Sequence, residues 1–203
     1  GSTRAGIAVA KSGADSVKKI IQELGGKSAN ILLPGADLAQ AVPTSVINCF
    51  LNSGQTCTAP TRLLVPKNDL DTVLNLAKKT TESIRVGDPR NPDTLLGPLS
   101  NPLQYQRVQD YIHTGIQEGA QVLIGGPGRP AHLDTGYFVQ PTVFYAVNNQ
   151  MTIAQEEIFG PVLCIITYDS LDEAIEIAND TAYGLAGYVF GDPDTAKEVA
   201  YQL

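Results

Sequence analysis

Cysteine and histidine are scarce in this 203-residue chain, with three of the first and two of the second. The cysteines, Cys49, Cys57 and Cys164, are odd in number and widely spaced, and no two form a Cys-x-x-Cys pair. That excludes a disulfide framework and a zinc site, and it suits a reducing compartment such as the cytoplasm. No group of His, Cys, Asp and Glu has metal-ligand spacing, so no metal is expected. A Gly-x-Ser-x-Gly nucleophile elbow is also missing. His113 and His132 lie in no motif, which leaves a cysteine–histidine hydrolase with little support. Long apolar runs are absent: the longest, residues 162–166, is far too short to span a bilayer, and no signal peptide is expected. Positive charge is in deficit, with a net charge of −7. That argues against nucleic acid or an anionic membrane as partner.

What remains is ordinary for a globular protein: 43% hydrophobic and 17% charged residues, in a chain long enough to bury a core. Patterning predicts helices over residues 3–11, 69–83, 101–119 and 171–179, and from Asp194 onward. A further helix, capped by Asp37, runs to Leu51, with Pro43 interrupting it early. Strands are predicted over residues 18–23, 29–33, 62–65, 121–124, 137–139, 142–147, 162–168 and 184–190. Residues 86–98 and 125–136 read as Gly/Pro loops. Strand and helix alternate throughout, so the expected class is α/β with a largely parallel sheet.

Cys57 differs from the other two cysteines. It sits in Asn52-Ser53-Gly54-Gln55-Thr56-Cys57-Thr58-Ala59-Pro60, a small, polar, glycine-broken stretch after the apolar run Val46, Ile47, Cys49, Phe50, Leu51. Cys49 and Cys164 keep large apolar neighbours, as core cysteines do, whereas threonines flank Cys57. Gly54 permits a tight turn that presents the sulfur and its own N–H to a pocket. A thiolate is a strong nucleophile wherever its setting lets it form near neutral pH. Upstream, Glu23 ends an apolar stretch and is followed by Gly25-Gly26. Glycine pairs let the backbone approach a ligand closely. A carboxylate placed there is either a general base for water or a solvent-facing residue before a turn.

Together these stretches resemble the aldehyde dehydrogenase superfamily. Glu23-Leu24-Gly25-Gly26-Lys27 is similar to its glutamate signature and Gly54-Gln55-Thr56-Cys57 to its cysteine signature, and their separation of 34 positions fits. Glu156-Glu157-Ile158-Phe159-Gly160-Pro161 resembles its cofactor-contacting segment, and Gly1-Ser2-Thr3 its phosphate-side turn. The resemblance runs over residues 1–203 and implies a three-layer α/β fold. Residues 1–25 would be the tail of a nucleotide-binding domain, and residues 26–203 a catalytic domain truncated at its C-terminal end.

The implied reaction is oxidation of an aldehyde to a carboxylic acid with NAD or NADP. Cys57 would be the nucleophile, through a thiohemiacetal and a thioester, and Glu23 the base that activates water to release the acid. A glutamate at this place favours hydrolysis over transfer to coenzyme A. Ser2, Leu24, Gly25, Glu157 and Phe159 would bind the cofactor, with Phe159 against the nicotinamide and Glu157 on its ribose. The implied partners are a small-molecule aldehyde and, in the full-length enzyme, further copies in a homo-oligomer. The competing expectation is a non-catalytic fragment or interaction module that cannot bind cofactor alone.

Overall fold

The computed structural model describes residues 1–203 and contains seven α-helices and six strands. The helices are α1 (Thr3–Ala14), α2 (Leu38–Phe50), α3 (Leu70–Glu82), α4 (Pro102–Gln117), α5 (Thr152–Gln155), α6 (Leu171–Asn179) and α7 (Pro193–Ala200). The strands are β1 (Ala29–Leu32), β2 (Arg62–Pro66), β3 (Gln121–Ile124), β4 (Thr142–Tyr145), β5 (Val162–Tyr168) and β6 (Gly187–Phe190). Short polar side chains set most helix starts. Ser2, Asp37, Asn101, Ser170 and Asp192 each accept a hydrogen bond from a first-turn N–H of α1, α2, α4, α6 and α7. Each thereby satisfies a donor that has no partner inside its helix.

The strands form one sheet in the order β3-β4-β5-β2-β1-β6. Only the β3–β4 pair is antiparallel. Side chains alternate across a strand, so each strand feeds two cores. On one face Ile31, Leu64, Phe144 and Cys164 pack with Val108, Ile112, Ile153, Ala174 and Val199, from α4 to α7. On the other face Leu32, Leu63, Val65 and Leu163 meet Val46, Cys49, Phe50, Val73 and Ala77 of α2 and α3. The result is the three-layer α/β arrangement that the resemblance implied. A strand covered on both faces has no polar side, which is why residues 162–166 of β5 are uninterruptedly apolar.

Four expectations are corrected. Residues 18–23 form no strand. Val17 and Ile21 are 92% and 79% exposed, and no other segment of residues 1–203 offers the stretch a ladder to pair with. Pro43 does not interrupt α2. The hydroxyls of Thr44 and Ser45 donate to the carbonyls of Gln40 and Ala41 at 2.8 and 2.6 Å, and the helix's buried face holds it against the sheet. Residues 137–139 are not a strand; the Tyr137 carbonyl accepts from Leu99 N–H at 2.9 Å instead. Finally, β6 begins at Gly187 and not at residue 184, where the backbone is still turning after α6. No helix is long and apolar enough to cross a membrane.

Strand direction decides where the motifs meet. The two glycines lead into β1, the Cys57 loop leads into β2, and residues 156–161 lead into β5. These three strands are parallel neighbours, so all three loops emerge at the same edge of the sheet. It is the amino edge, whereas most open α/β sheets place their ligands at the carboxyl edge.

Candidate active site

The Cys57 loop is entered through an unusual turn. Asn52 (φ 54°), Ser53 (φ 56°) and Gly54 (φ 70°) lie in succession in the left-handed region. Two non-glycine residues there carry strain that surrounding contacts must hold. Those contacts are present. Asn52 and Gln55 exchange side-chain-to-carbonyl hydrogen bonds at 3.0 and 3.2 Å. Ser53 Oγ donates to Gly97 O at 2.8 Å, and Gln55 Oε1 accepts from Ser100 N–H at 3.0 Å. Beyond the cysteine, Tyr188 of β6 donates its hydroxyl to Thr58 O at 2.9 Å. Cys57 is thereby presented half-buried, while Cys49 and Cys164 have no exposed surface. Burial pushes the thiols of Cys49 and Cys164 up, away from thiolate formation.

Two glycines lock the three loops together. A Cβ at Gly26 would lie 2.5 Å from the Cys57 carbonyl oxygen. A Cβ at Gly54 would collide with the Gly160 carbonyl. Gly26 N–H donates to Glu157 Oε1 at 3.2 Å, and the same carboxylate lies directly against Gly25. Gly25, Gly26, Cys57, Glu157 and Gly160 are therefore one cluster, although 135 positions separate its ends. Phe159 is half-buried beside it with φ 58°.

Gly54→Ala should cost about 2–4 kcal/mol, from left-handed strain plus the clash. Gly35→Ala shares a positive φ but meets nothing within 4 Å, so it should cost about 1–2 kcal/mol. Urea unfolding of both variants checks this; equal costs would mean that Gly160 does not crowd Gly54.

Leu24 is half-buried, and its side chain fills the space over Gly6 of α1. The Gly1 amino group donates to Glu23 O at 2.6 Å, which ties the start of α1 to the glutamate segment. Ser2 spends its hydroxyl on the Ala5 cap, at 3.3 Å. Glu23 is exposed and its carboxylate makes no hydrogen bond; the unpaired stretch before it leaves nothing to cover it. His113 is exposed on α4, and His132 Nε2 is engaged with Val86 O at 3.0 Å.

Sequence reading missed two residues of α4. Gln104 Nε2 donates to both Ile158 O and Phe159 O, at 2.9 and 2.8 Å. Arg107 donates to Glu157 O at 2.8 Å. Together they clamp the strained segment from behind. The only signal was their spacing of three along a helix, which every polar helix face shares.

With the geometry in hand, comparison with known proteins is informative. The sequence model of the aldehyde dehydrogenase family matches residues 1–203. A 3-succinoylsemialdehyde-pyridine dehydrogenase of Pseudomonas is 55% identical over all of this chain, which covers 43% of that protein. Among solved structures, a cysteine-to-alanine variant of an aldehyde dehydrogenase from Pseudomonas syringae, in complex with NAD+ and octanal, superposes with a TM-score of 0.97. It is 52% identical, over 99% of this chain and 42% of its own. An NAD+ complex of a Mycobacterium tuberculosis aldehyde dehydrogenase superposes equally well, at 0.97, with 46% identity over 100% of this chain and 42% of its own. The chain thus spans less than half the length of these relatives.

Proposed function

The chain belongs to the aldehyde dehydrogenase family, and we propose from that membership that it carries the thiol chemistry of an enzyme oxidising an aldehyde to a carboxylic acid. The observation that carries the proposal is the double role of Gly26. It packs on the Cys57 carbonyl and donates its N–H to Glu157, which joins the nucleophile loop to the segment proposed to hold the cofactor.

The residues present suit a nicotinamide cofactor. The exposed N-terminus of α1, at Ser2, favours a phosphate. Glu157 offers acceptors for a ribose, and half-buried Leu24 and Phe159 with Gly25 offer a flat apolar contact. When bound, the nicotinamide would accept a hydride from the substrate carbon. NAD and NADP are both compatible with these residues, and the NAD+ complexes of the relatives favour the former.

Cys57 attacks the aldehyde carbonyl as the thiolate. Its strained, clamped turn holds the sulfur and the Cys57 N–H in place, and that N–H steadies the oxyanion as it forms. After the substrate carbon is oxidised, the acyl group remains on Cys57 as a thioester. Glu23 then removes a proton from a water that releases the acid. In this reading residues 1–25 end a nucleotide-binding domain and residues 26–203 form the catalytic domain. The exposure of α1, which contributes to neither core, supports that division. The whole enzyme would be a cytoplasmic homo-oligomer. The chain alone, at under half its relatives' length, should form no NADH from an aldehyde and NAD.

Glu23→Gln in the full-length enzyme separates the steps. The first turnover of NADH should persist, while steady-state turnover falls by about 10²–10⁴-fold, the usual contribution of a general base. Stopped-flow absorbance resolves the two phases. Unchanged steady-state turnover would remove Glu23 from the mechanism.

A further inference from the structure

We propose that Arg62 is a positioning residue for the oxidation, its guanidinium fixing the nucleophile loop against the segments that flank it. Arg62 opens β2, five positions beyond Cys57, and is only 1% exposed. Nε donates to Lys27 O at 3.0 Å, Nη1 to Asn149 Oδ1 at 3.0 Å and to Ile177 O at 2.7 Å, and Nη2 to Ala178 O at 2.7 Å. One side chain therefore holds three separate segments. Lys27 directly follows the Gly25-Gly26 pair, Asn149 lies just before α5, and Ile177 and Ala178 belong to the last turn of α6.

From Asn149 the bonds continue to the segment proposed to hold the cofactor. Asn149 Nδ2 donates to Asp180 O and Oδ2 at 3.1 and 3.0 Å. Gln155 Nε2 donates to Asn149 O and Asp180 O at 2.7 and 2.9 Å. Gln155 closes α5 and is followed at once by Glu156 and Glu157. On the other side, Gly26 N–H donates to Glu157. The links Arg62–Asn149–Gln155 and Lys27–Gly26–Glu157 thus close a ring behind the Cys57 loop. At α6 the guanidinium supplies a cation that the helix's own last turn lacks, on carbonyls that a helix end leaves open.

Stability alone does not account for an arginine here. Its four acceptors are neutral, three backbone carbonyls and an amide oxygen, and it forms no ion pair. A charge buried in this way is often less stabilising than an apolar residue of similar size. Burial lowers the Arg62 pKa to about 10, which still leaves it charged at neutral pH. What a guanidinium adds is a rigid, planar set of donors. A lysine, with one nitrogen, cannot reach acceptors on three segments at once. The meaning of this register for catalysis rests on the proposed oxidation; the ring of hydrogen bonds does not.

Single-turnover NADH formation by the full-length enzyme, at saturating NAD and aldehyde, tests the proposal at a temperature where circular dichroism shows each variant folded. Arg62→Lys should slow that turnover by roughly ten- to hundred-fold, the usual consequence of misplacing reacting groups. Alkylation of Cys57 by iodoacetamide should change by less than about three-fold, because the thiol stays presented. A merely structural arginine would lower Tm and leave the turnover of folded enzyme unchanged. Asn149→Ala leaves the guanidinium in place; it should slow turnover in the same direction, and it decides the matter if Arg62→Lys does not fold. The double variant should fall no further than the slower single one, since both break one ring. Unchanged turnover in a folded single variant, or losses that multiply in the double, would overturn the proposal. Amide hydrogen exchange reads the ring without turnover: peptides holding Gly26 and Glu157 should exchange faster in both variants, while those of α3 do not. Unaltered exchange at Gly26 and Glu157 also overturns the proposal, whereas a wild-type enzyme that forms no NADH overturns the catalytic reading alone.

Discussion

Cys57→Ser in the full-length enzyme is expected to lower aldehyde oxidation by roughly a thousand-fold or more, with the fold retained. The reason is chemical and not steric. A serine hydroxyl fits the same half-buried place but is un-ionised near neutral pH, and no histidine is placed to activate it: His113 is exposed on α4 and His132 is held at Val86. The informative comparison is Cys49→Ser. Cys49 has no exposed surface, and its thiol faces Val162 O at 3.7 Å. A hydroxyl there keeps a carbonyl to donate to, and burying the more polar group should cost about 1–3 kcal/mol while turnover survives. NADH formation, with urea unfolding of the same samples, reads both effects. Equal loss of turnover in two well-folded variants would refute the assignment of Cys57.

The sequence disclosed most of this fold because each layer has a plain local signature. Residues 162–166 could be recognised as a fully buried strand because five apolar residues run without a polar break. The starts of α2, α4 and α7 were placed at Asp37, residue 101 and Asp194, each within one residue of where the helix begins. Failures occurred where the outcome depends on what lies across from a segment. Residues 18–23 have an apolar pattern, but a strand exists only where another backbone pairs with it. Pro43 looks disruptive from local propensity, and packing of the α2 face overrides it.

The same division holds at the candidate site. Cys57, Gly25 and Glu157, which the structure brings into one cluster, were marked out by motif; Glu23 was marked out in the same way, and its carboxylate stays exposed. The αL turn at Asn52 and Ser53 was invisible, since neither residue type demands it. Gln104 and Arg107 were missed because they hold carbonyls fifty or more positions away, and no local pattern encodes a distant carbonyl. Lys27 was read as the end of a motif; only three-dimensional burial reveals an ammonium without a partner.

Brief treatment of the chain with iodoacetamide is expected to label Cys57 at least about a thousand-fold faster than Cys49 or Cys164. Alkylation requires the reagent to reach the sulfur and the thiol to ionise, and both requirements separate the three sites. Cys57 is half-buried in a loop at the amino edge of the sheet. Cys49 lies under α2 in one core and Cys164 at the centre of β5 in the other, each at 0% exposure. Their labelling must wait for transient opening, and open states of core elements are populated at only about 10⁻³–10⁻⁶. Burial also holds both of these thiols in the protonated form, which multiplies the protection. Peptide mapping by mass spectrometry after quenching measures the three rates in one sample. In denaturing urea the three rates should converge, which shows that the native difference comes from the fold and not from neighbouring residues. Dominant native labelling at Cys164, or equal native rates at all three, would mean that Cys57 is not the presented thiol and that the cluster around Gly26 and Gly54 serves packing alone.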